Sequence, residues 1–211
     1  FGASPLKLEA HGLRQRCADI NRAALRLARA GAGEDAILSA SLGSTGRALL
    51  PFGDLDPGLA AETYREQVSI LLEEGLDAFS VETMTDLAEA RLVVGVCKEL
   101  APEIPVLATM TFDRRPRGWF TITGVDPAAA AARLAEAGAD LIGSNCGNGI
   151  EKMVEIARAF REATDAPLII QSNAGMPETE SGEIVYPETP QFMAARVKDL
   201  LGLGVSIVGG C

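Results

Sequence analysis

Six short apolar runs, each closing on a small or polar residue and each neighboured by a helical pattern, constrain this chain more than any other feature. They end near Ser41, Glu82, Met110, Asn145, Ser172 and Gly209. Successive ends therefore lie roughly 27 to 41 residues apart, the length of a strand–helix unit. The helical stretches carry their own punctuation. Leu13, Cys17, Ile20, Ala24 and Leu27 recur at spacings of three and four, which predicts a helix over 13–30. Asp56-Pro57 and Asp126-Pro127 set a capping carboxylate before a proline at the first helical position, and Thr189-Pro190 repeats the device. Further helices are expected over 57–74, 87–100 (capped by Asp86), 127–137, 150–163 and 190–203. Strands are expected over 36–41, 78–81, 106–111, 141–145, 168–171 and 205–208, with loops over 1–12 and 173–190.

Strands this apolar are covered on both faces. Strict alternation with right-handed crossovers leaves an open doubly wound sheet or a (β/α)8 barrel. The open sheet usually carries a G-x-G-x-x-G turn after its first strand, and Gly43-Ser44-Thr45-Gly46 lacks that pattern. A barrel carries its chemistry at the C-terminal ends of its strands, where the unusual polar residues of this chain lie. The expected fold is α/β, a (β/α)8 TIM barrel. Its first two strands and its last helix are expected to lie outside this chain, with 1–211 expected to be a partial barrel domain.

Composition narrows the partners. The net charge is −10, with Lys and Arg interspersed, so no basic patch offers a nucleic-acid groove. No apolar run approaches the ~20 residues of a membrane helix. Four cysteines, Cys17, Cys97, Cys146 and Cys211, are too few for a disulfide framework in 211 residues, and a reducing, cytoplasmic setting is expected. His11 is the single histidine, which argues against a His-based triad or a His-rich metal site.

Cys146 stands where a buried strand runs into Asn145-Cys146-Gly147, and Cys211 closes Val208-Gly209-Gly210-Cys211. Two thiols at one barrel rim are candidate zinc ligands or nucleophiles, and each is equally readable as a small apolar filler. Cys17 and Cys97 lie within apolar helical faces and are expected to pack. Glu82, at a strand end, is placed to hold an ammonium group, to act as a base, or to cap the next turn. Asn145 and Asn173 are candidates to orient a ligand or to satisfy turn backbone. Thr109 and Thr111 put hydroxyls on one strand end, Asp113 reads as a turn cap, and Trp119 reads as a cover over the site or as rim packing. No strand ends in the Lys an aldolase needs, and a pterin site should offer more strand-end Asp and Asn.

The order of motifs resembles a known family. The motifs are Val81-Glu82-Thr83-Met84-Thr85-Asp86, Met110-Thr111-Phe112-Asp113, Thr123-Gly124-Val125-Asp126-Pro127, Gly143-Ser144-Asn145-Cys146, Gln171-Ser172-Asn173-Ala174-Gly175-Met176-Pro177 and Gly204-Val205-Ser206-Ile207-Val208-Gly209-Gly210-Cys211. Together they resemble the homocysteine-binding domain of the homocysteine S-methyltransferase family over nearly the whole chain. The Asn-Ala-Gly-x-Pro loop is more similar to the cobalamin-dependent methionine synthase branch than to the S-methylmethionine branch. The resemblance implies a barrel binding zinc through three thiolates, with Cys146 first, Cys211 second and the third directly after Cys211. It implies that Glu82 engages the ammonium of homocysteine, with Asn145 and Asn173 in the substrate site. It also implies methyl transfer to the homocysteine thiol to give methionine. The donor would be methylcobalamin presented by another module, with cobalamin-binding and folate-binding modules as partners. Phe1-Gly2-Ala3-Ser4 resembles the family's segment at the end of strand two. A non-catalytic barrel kept for docking is the alternative of another class.

Overall fold

The structure, a computed structural model, describes residues 1–33, 35–180 and 182–211. From the N-terminus, α1 (Pro5–Glu9) and α2 (Cys17–Ala32) lead into β1 (Ser39–Leu42), α3 (Pro57–Leu72), β2 (Ala78–Met84), α4 (Leu87–Leu100) and β3 (Val106–Met110). A small hairpin of β4 (Asp113–Arg115) and β5 (Gly118–Phe120) follows, then α5 (Pro127–Glu136), β6 (Leu141–Asn145), α6 (Ile150–Ala163) and β7 (Leu168–Ser172). A second hairpin, β8 (Glu178–Glu180) and β9 (Glu183–Val185), precedes α7 (Pro190–Gly202) and β10 (Val205–Gly210).

The sheet is parallel throughout, in the order β1-β2-β3-β6-β7-β10. It is a curled half-barrel, and among the described residues its edges β1 and β10 do not pair with each other. The curl shows in the reach of one side chain. In a flat sheet, next-nearest strands stand about 9.5 Å apart. Yet Asn145 of β6 hydrogen-bonds Thr83 of β2 on one side and the Cys211 sulfur beyond β10 on the other.

Period-two alternation decides what each face carries. Phe79, Val81, Ala108, Met110, Ile142, Leu168 and Ile170 point to the helices and are fully buried. Phe112, just past β3, meets Phe160 of α6 edge-on with ring centroids 5.6 Å apart. Cys97 lies in this main core, and Cys17 in a satellite cluster with Leu8 and Ile70, as their apolar faces require. Ser80, Glu82, Thr109, Asn145 and Gln171 fall on the opposite, concave face.

Asp56, Asp86, Asp126 and Thr189 each accept a backbone N–H in the first turn of α3, α4, α5 and α7, so the capping pattern was legible. Three features were not. The segment 1–12 contains the one-turn α1, capped by Ser4, too short to show a period. The β8–β9 hairpin lies in the 173–190 stretch read as a loop, and the β4–β5 hairpin in a stretch with no expected strand. Trp119 on β5 is 6% exposed and packs into the main core under the Arg114 guanidinium, so it packs at the rim. Asp113 is exposed and pairs with Arg115.

At the N-terminal ends of the strands one device appears twice. Asp77, just before β2, accepts the Leu38 N–H at 2.6 Å and pairs with Arg29. Asp140, just before β6, accepts the Val106 N–H at 2.8 Å and pairs with Lys98. The Leu38 N–H and then Arg29 hold Asp77 below its ordinary value of 3.8. Burial pushes Asp140 up, but the Lys98 ammonium and the Val106 N–H together bring it below 3.8. Both carboxylates are lowered in the folded state. Their stabilisation is therefore complete above about pH 4 and is lost as pH falls through the folded values. The double variant Asp77→Asn/Asp140→Asn should flatten the acid limb of a stability-against-pH curve measured by urea unfolding. Phe160→Ala should cost about 3–5 kcal/mol in the same assay.

Candidate functional site

Two register shifts build the C-terminal rim. In β2, Val81 pairs Ala108 and Met84 pairs Met110, which leaves Glu82 and Thr83 facing the single residue Thr109. Alternation from Phe79 and Val81 already turns the Glu82 carboxylate to the concave face, and the bulge returns Met84 to the core. In β10, Val205 pairs Leu168 and Ile207 pairs Ile169. Val205 is buried against the helices, so unbroken alternation would turn residues 207, 209 and 211 toward the helices as well. The extra residue reverses the parity and brings Cys211 to the concave side.

Cys146 and Cys211 flank the end of β7. The Cys146 N–H donates to the Gln171 carbonyl at 3.1 Å, and the Cys211 N–H donates to the Ser172 carbonyl at 2.9 Å. Successive carbonyls of a strand point to opposite sides, so the two cysteines lie on either side of β7 and turn their sulfurs over its end. Both are free thiols. Burial pushes the Cys211 thiol up, the neighbouring Cys146 thiol adds to that, and the Asn145 amide pulls the other way.

Asn145 is the hub of the rim. Its Oδ1 accepts the Thr83 N–H at 2.7 Å and the Thr109 hydroxyl at 2.8 Å. Its Nδ2 donates to Thr83 Oγ1 at 2.8 Å and to the Cys211 sulfur at 3.7 Å. The side chain is 1% exposed, so it is committed to the protein. Thr83 and Cys146 both have left-handed backbone, with φ of 57° and 61°, a region a β-branched residue avoids. Asn145 holds Thr83 there from both sides, which sets the backbone next to Glu82.

Glu82 does not cap α4, a role Asp86 fills. Its carboxylate accepts the hydroxyls of Ser41 and Ser80 (3.4 Å for Ser80), and among the described residues no cation pairs with it. Asn173 donates weakly to the Cys211 carbonyl at 3.5 Å, and its buried Oδ1 has no partner. Thr111 donates to the Asn145 carbonyl at 3.0 Å. The rim thus gathers Glu82, Asn145, Cys146, Asn173 and Cys211.

Sequence reasoning missed Glu89. Buried at 4% exposure, its Oε1 accepts the Thr45 N–H, the Thr45 hydroxyl and the Tyr64 hydroxyl. It fastens the Gly43–Gly46 turn to the first turn of α4, so those glycines belong to a braced turn. A Glu three residues past a cap is a signal that could have found it. Cavity size does not mark the rim: a cavity of about 580 Å³ lies at the other end of the strands around Arg161, whose guanidinium is spent on the Thr164, Ala166 and Leu203 carbonyls.

Thiols are the donor type zinc prefers, and a catalytic zinc takes three protein ligands. Cys146 and Cys211 supply two, and among the described residues no group of three His, Cys, Asp or Glu side chains converges on one point.

A curled parallel sheet with paired thiols and a carboxylate at its C-terminal rim defines a barrel-type protein with a thiol-lined site. The homocysteine S-methyltransferase family model matches residues 1–211, and the chain belongs to that family. It is 27% identical to methionine synthase of Mycobacterium tuberculosis over 228 residues, covering 100% of this chain and 18% of that protein. It is 28% identical to betaine–homocysteine S-methyltransferase 1 of Xenopus tropicalis over 210 residues, covering 91% of this chain and 50% of that one. The chain therefore spans half or less of the length of these relatives. The metallated form of the homocysteine methyltransferase MmuM from Escherichia coli shares the fold, with a TM-score of 0.75 at 19% identity, over 100% of this chain and 72% of that one.

Asn145→Ala would leave the Thr83 N–H unpaired and the Thr109 hydroxyl with only the Val81 carbonyl at 3.4 Å. It should cost about 1–3 kcal/mol by urea unfolding. Adding Thr83→Gly should restore part of the loss, since glycine takes a positive φ without strain.

Proposed function

We propose that the protein to which this chain belongs transfers a methyl group to the thiol of homocysteine, giving methionine. The chain supplies part of a homocysteine-binding (β/α)8 barrel domain, with two further strands completing the sheet. The observation that carries this reading is the pairing of Cys146 with Cys211 at the rim, in a chain that matches the family over its full length.

Cys146 and Cys211 would hold zinc, together with a third thiolate that the family resemblance puts directly after Cys211. Bound there, the metal would favour the thiolate form of the homocysteine sulfur at neutral pH. Glu82 receives the substrate ammonium: it is a concave-face carboxylate held by two neutral hydroxyls, with no Lys, Arg or His side chain in ion-pair contact among the described residues. The unpartnered Asn173 Oδ1 is a second acceptor for the same amino acid. Asn145 acts one step back, fixing Thr83 and Cys211.

The donor we favour is methylcobalamin, presented by another module of the protein beside a folate-binding module. Support comes from the Asn173-Ala174-Gly175-Met176-Pro177 loop and from the methionine synthase relative that spans this whole chain. Among the described residues no helix is long and apolar enough to cross a membrane, and we propose a reducing, cytoplasmic setting that keeps both thiols available. The betaine–homocysteine S-methyltransferase relatives, at equal identity, favour a second reading in which a small onium compound is the donor.

The test uses the full-length protein, with zinc content measured and methionine formation followed with methylcobalamin, S-methylmethionine or betaine as donor. Cys146→Ser and Cys211→Ser should each abolish stoichiometric zinc, whereas Cys97→Ala should not. Glu82→Gln should keep zinc and weaken homocysteine binding by about 1.5–3 kcal/mol, the range of a charged hydrogen bond. A wild-type protein without zinc, or unchanged homocysteine affinity in Glu82→Gln, would refute the corresponding assignment.

A further inference from the structure

The turn that carries Cys146 runs straight into α6, whose cap position is Gly149, a residue with no side chain to offer the first N–H groups. The missing cap comes from 38 residues away. Glu188, on the return from the β8–β9 hairpin, donates its own N–H to the Ala174 carbonyl at 3.0 Å, and its Oε2 accepts the Ile150 N–H at 2.8 Å. The carboxylate is thus seated at the positive end of a fourteen-residue helix. Both loops are shaped around it. A Cβ on Gly149 would overlap the Glu188 carboxylate, and one on Gly175 would come within 2.7 Å of Pro187 and 3.2 Å of Glu188. A second strap runs parallel, from the Asn173 N–H to the Asn148 carbonyl at 3.0 Å, and Asn148 Nδ2 holds the Phe112 carbonyl at 2.7 Å. Of these fastenings only Glu188 brings a charge, and it ties the far end of the loop after β7 to the turn.

We infer that Glu188 is a positioning residue for Cys146: it clamps the thiol-bearing turn to the loop after β7 and so fixes Cys146 relative to Cys211. It touches neither substrate nor metal. The inference rests on the reading of Cys146 as a metal-binding thiol, but its effect on the turn holds in the metal-free protein and is read there first.

The test is alkylation of each cysteine by iodoacetamide in the metal-free, full-length protein, quantified by mass spectrometry. Glu188→Ala should speed modification of Cys146 roughly fivefold, the shift that loss of one helix-capping bond gives, and leave Cys17 and Cys97 as slow as in the wild type. Glu188→Gln keeps an acceptor oxygen for the Ile150 N–H and should restore the wild-type rate. Zinc affinity, measured by chelator competition, should weaken in Glu188→Ala and recover in Glu188→Gln. Gly149→Ala, which expels the carboxylate by contact, should reproduce the Cys146 effect, and it decides the question if Glu188→Ala does not fold. An unchanged Cys146 rate overturns the inference. So does an equal rise at all four cysteines, which marks general unfolding, or a Gln variant that behaves as Ala. A wild type that binds no zinc would instead sink the zinc reading and leave the Cys146 rates to speak for the clamp.

Discussion

The rim of this half-barrel depends on how one buried carboxamide spends its hydrogen bonds. Asn145 joins β2, β3 and the residue after β10 through four contacts. A side chain that must satisfy partners on both flanks at 1% exposure permits little slack, because each unpaired polar group there would cost about 1–3 kcal/mol. The same bonds explain why Thr83 keeps a φ of 57°. The surrounding structure over-determines the strained residue, and the strain falls beside the carboxylate that the proposed function uses.

Stability and chemistry are divided between the two faces and the two ends of the sheet. The helix-facing residues are apolar apart from the buried Ser144 and Ser172, and the N-terminal ends are tied by Asp77 and Asp140. The concave face and the C-terminal rim hold the hydroxyls, the Glu82 carboxylate and the thiol pair. Such a division suits a site that must bind a charged amino acid. Glu82 and the two thiols sit at the rim, on the side away from the apolar core.

The fold's rhythm was legible in the residues. The Asp-Pro and Thr-Pro starts cap the helices as read, because a cap is a local bond between residues two or three apart. The packing of Cys17 and Cys97 was legible for the same reason, since helical periodicity reports burial directly. Asn145 and Asn173 stood out as polar residues at strand ends, but their different roles did not. One is fully bonded and the other keeps a buried acceptor unpartnered, a difference set by residues 36 to 66 positions away. The hairpins escaped because three-residue strands are too short to show alternation.

By itself, then, the sequence determined the alternation of strand and helix, the caps, the apolar helix-facing positions and the strand-end location of Glu82, Cys146 and Cys211. These depend on contacts within one turn or on period, which neighbouring residues carry. Tertiary structure decided which way Cys211 points and returned Met84 to the core. The bulge at Glu82–Thr83 and the register shift in β10 each insert one residue against a partner strand. In a lattice of period two, a single inserted residue reverses every side chain after it. No local pattern records such an insertion, because it exists only in the pairing of strands. That reversal is what brings Cys211 round to the face that holds Glu82 and to the sulfur of Cys146.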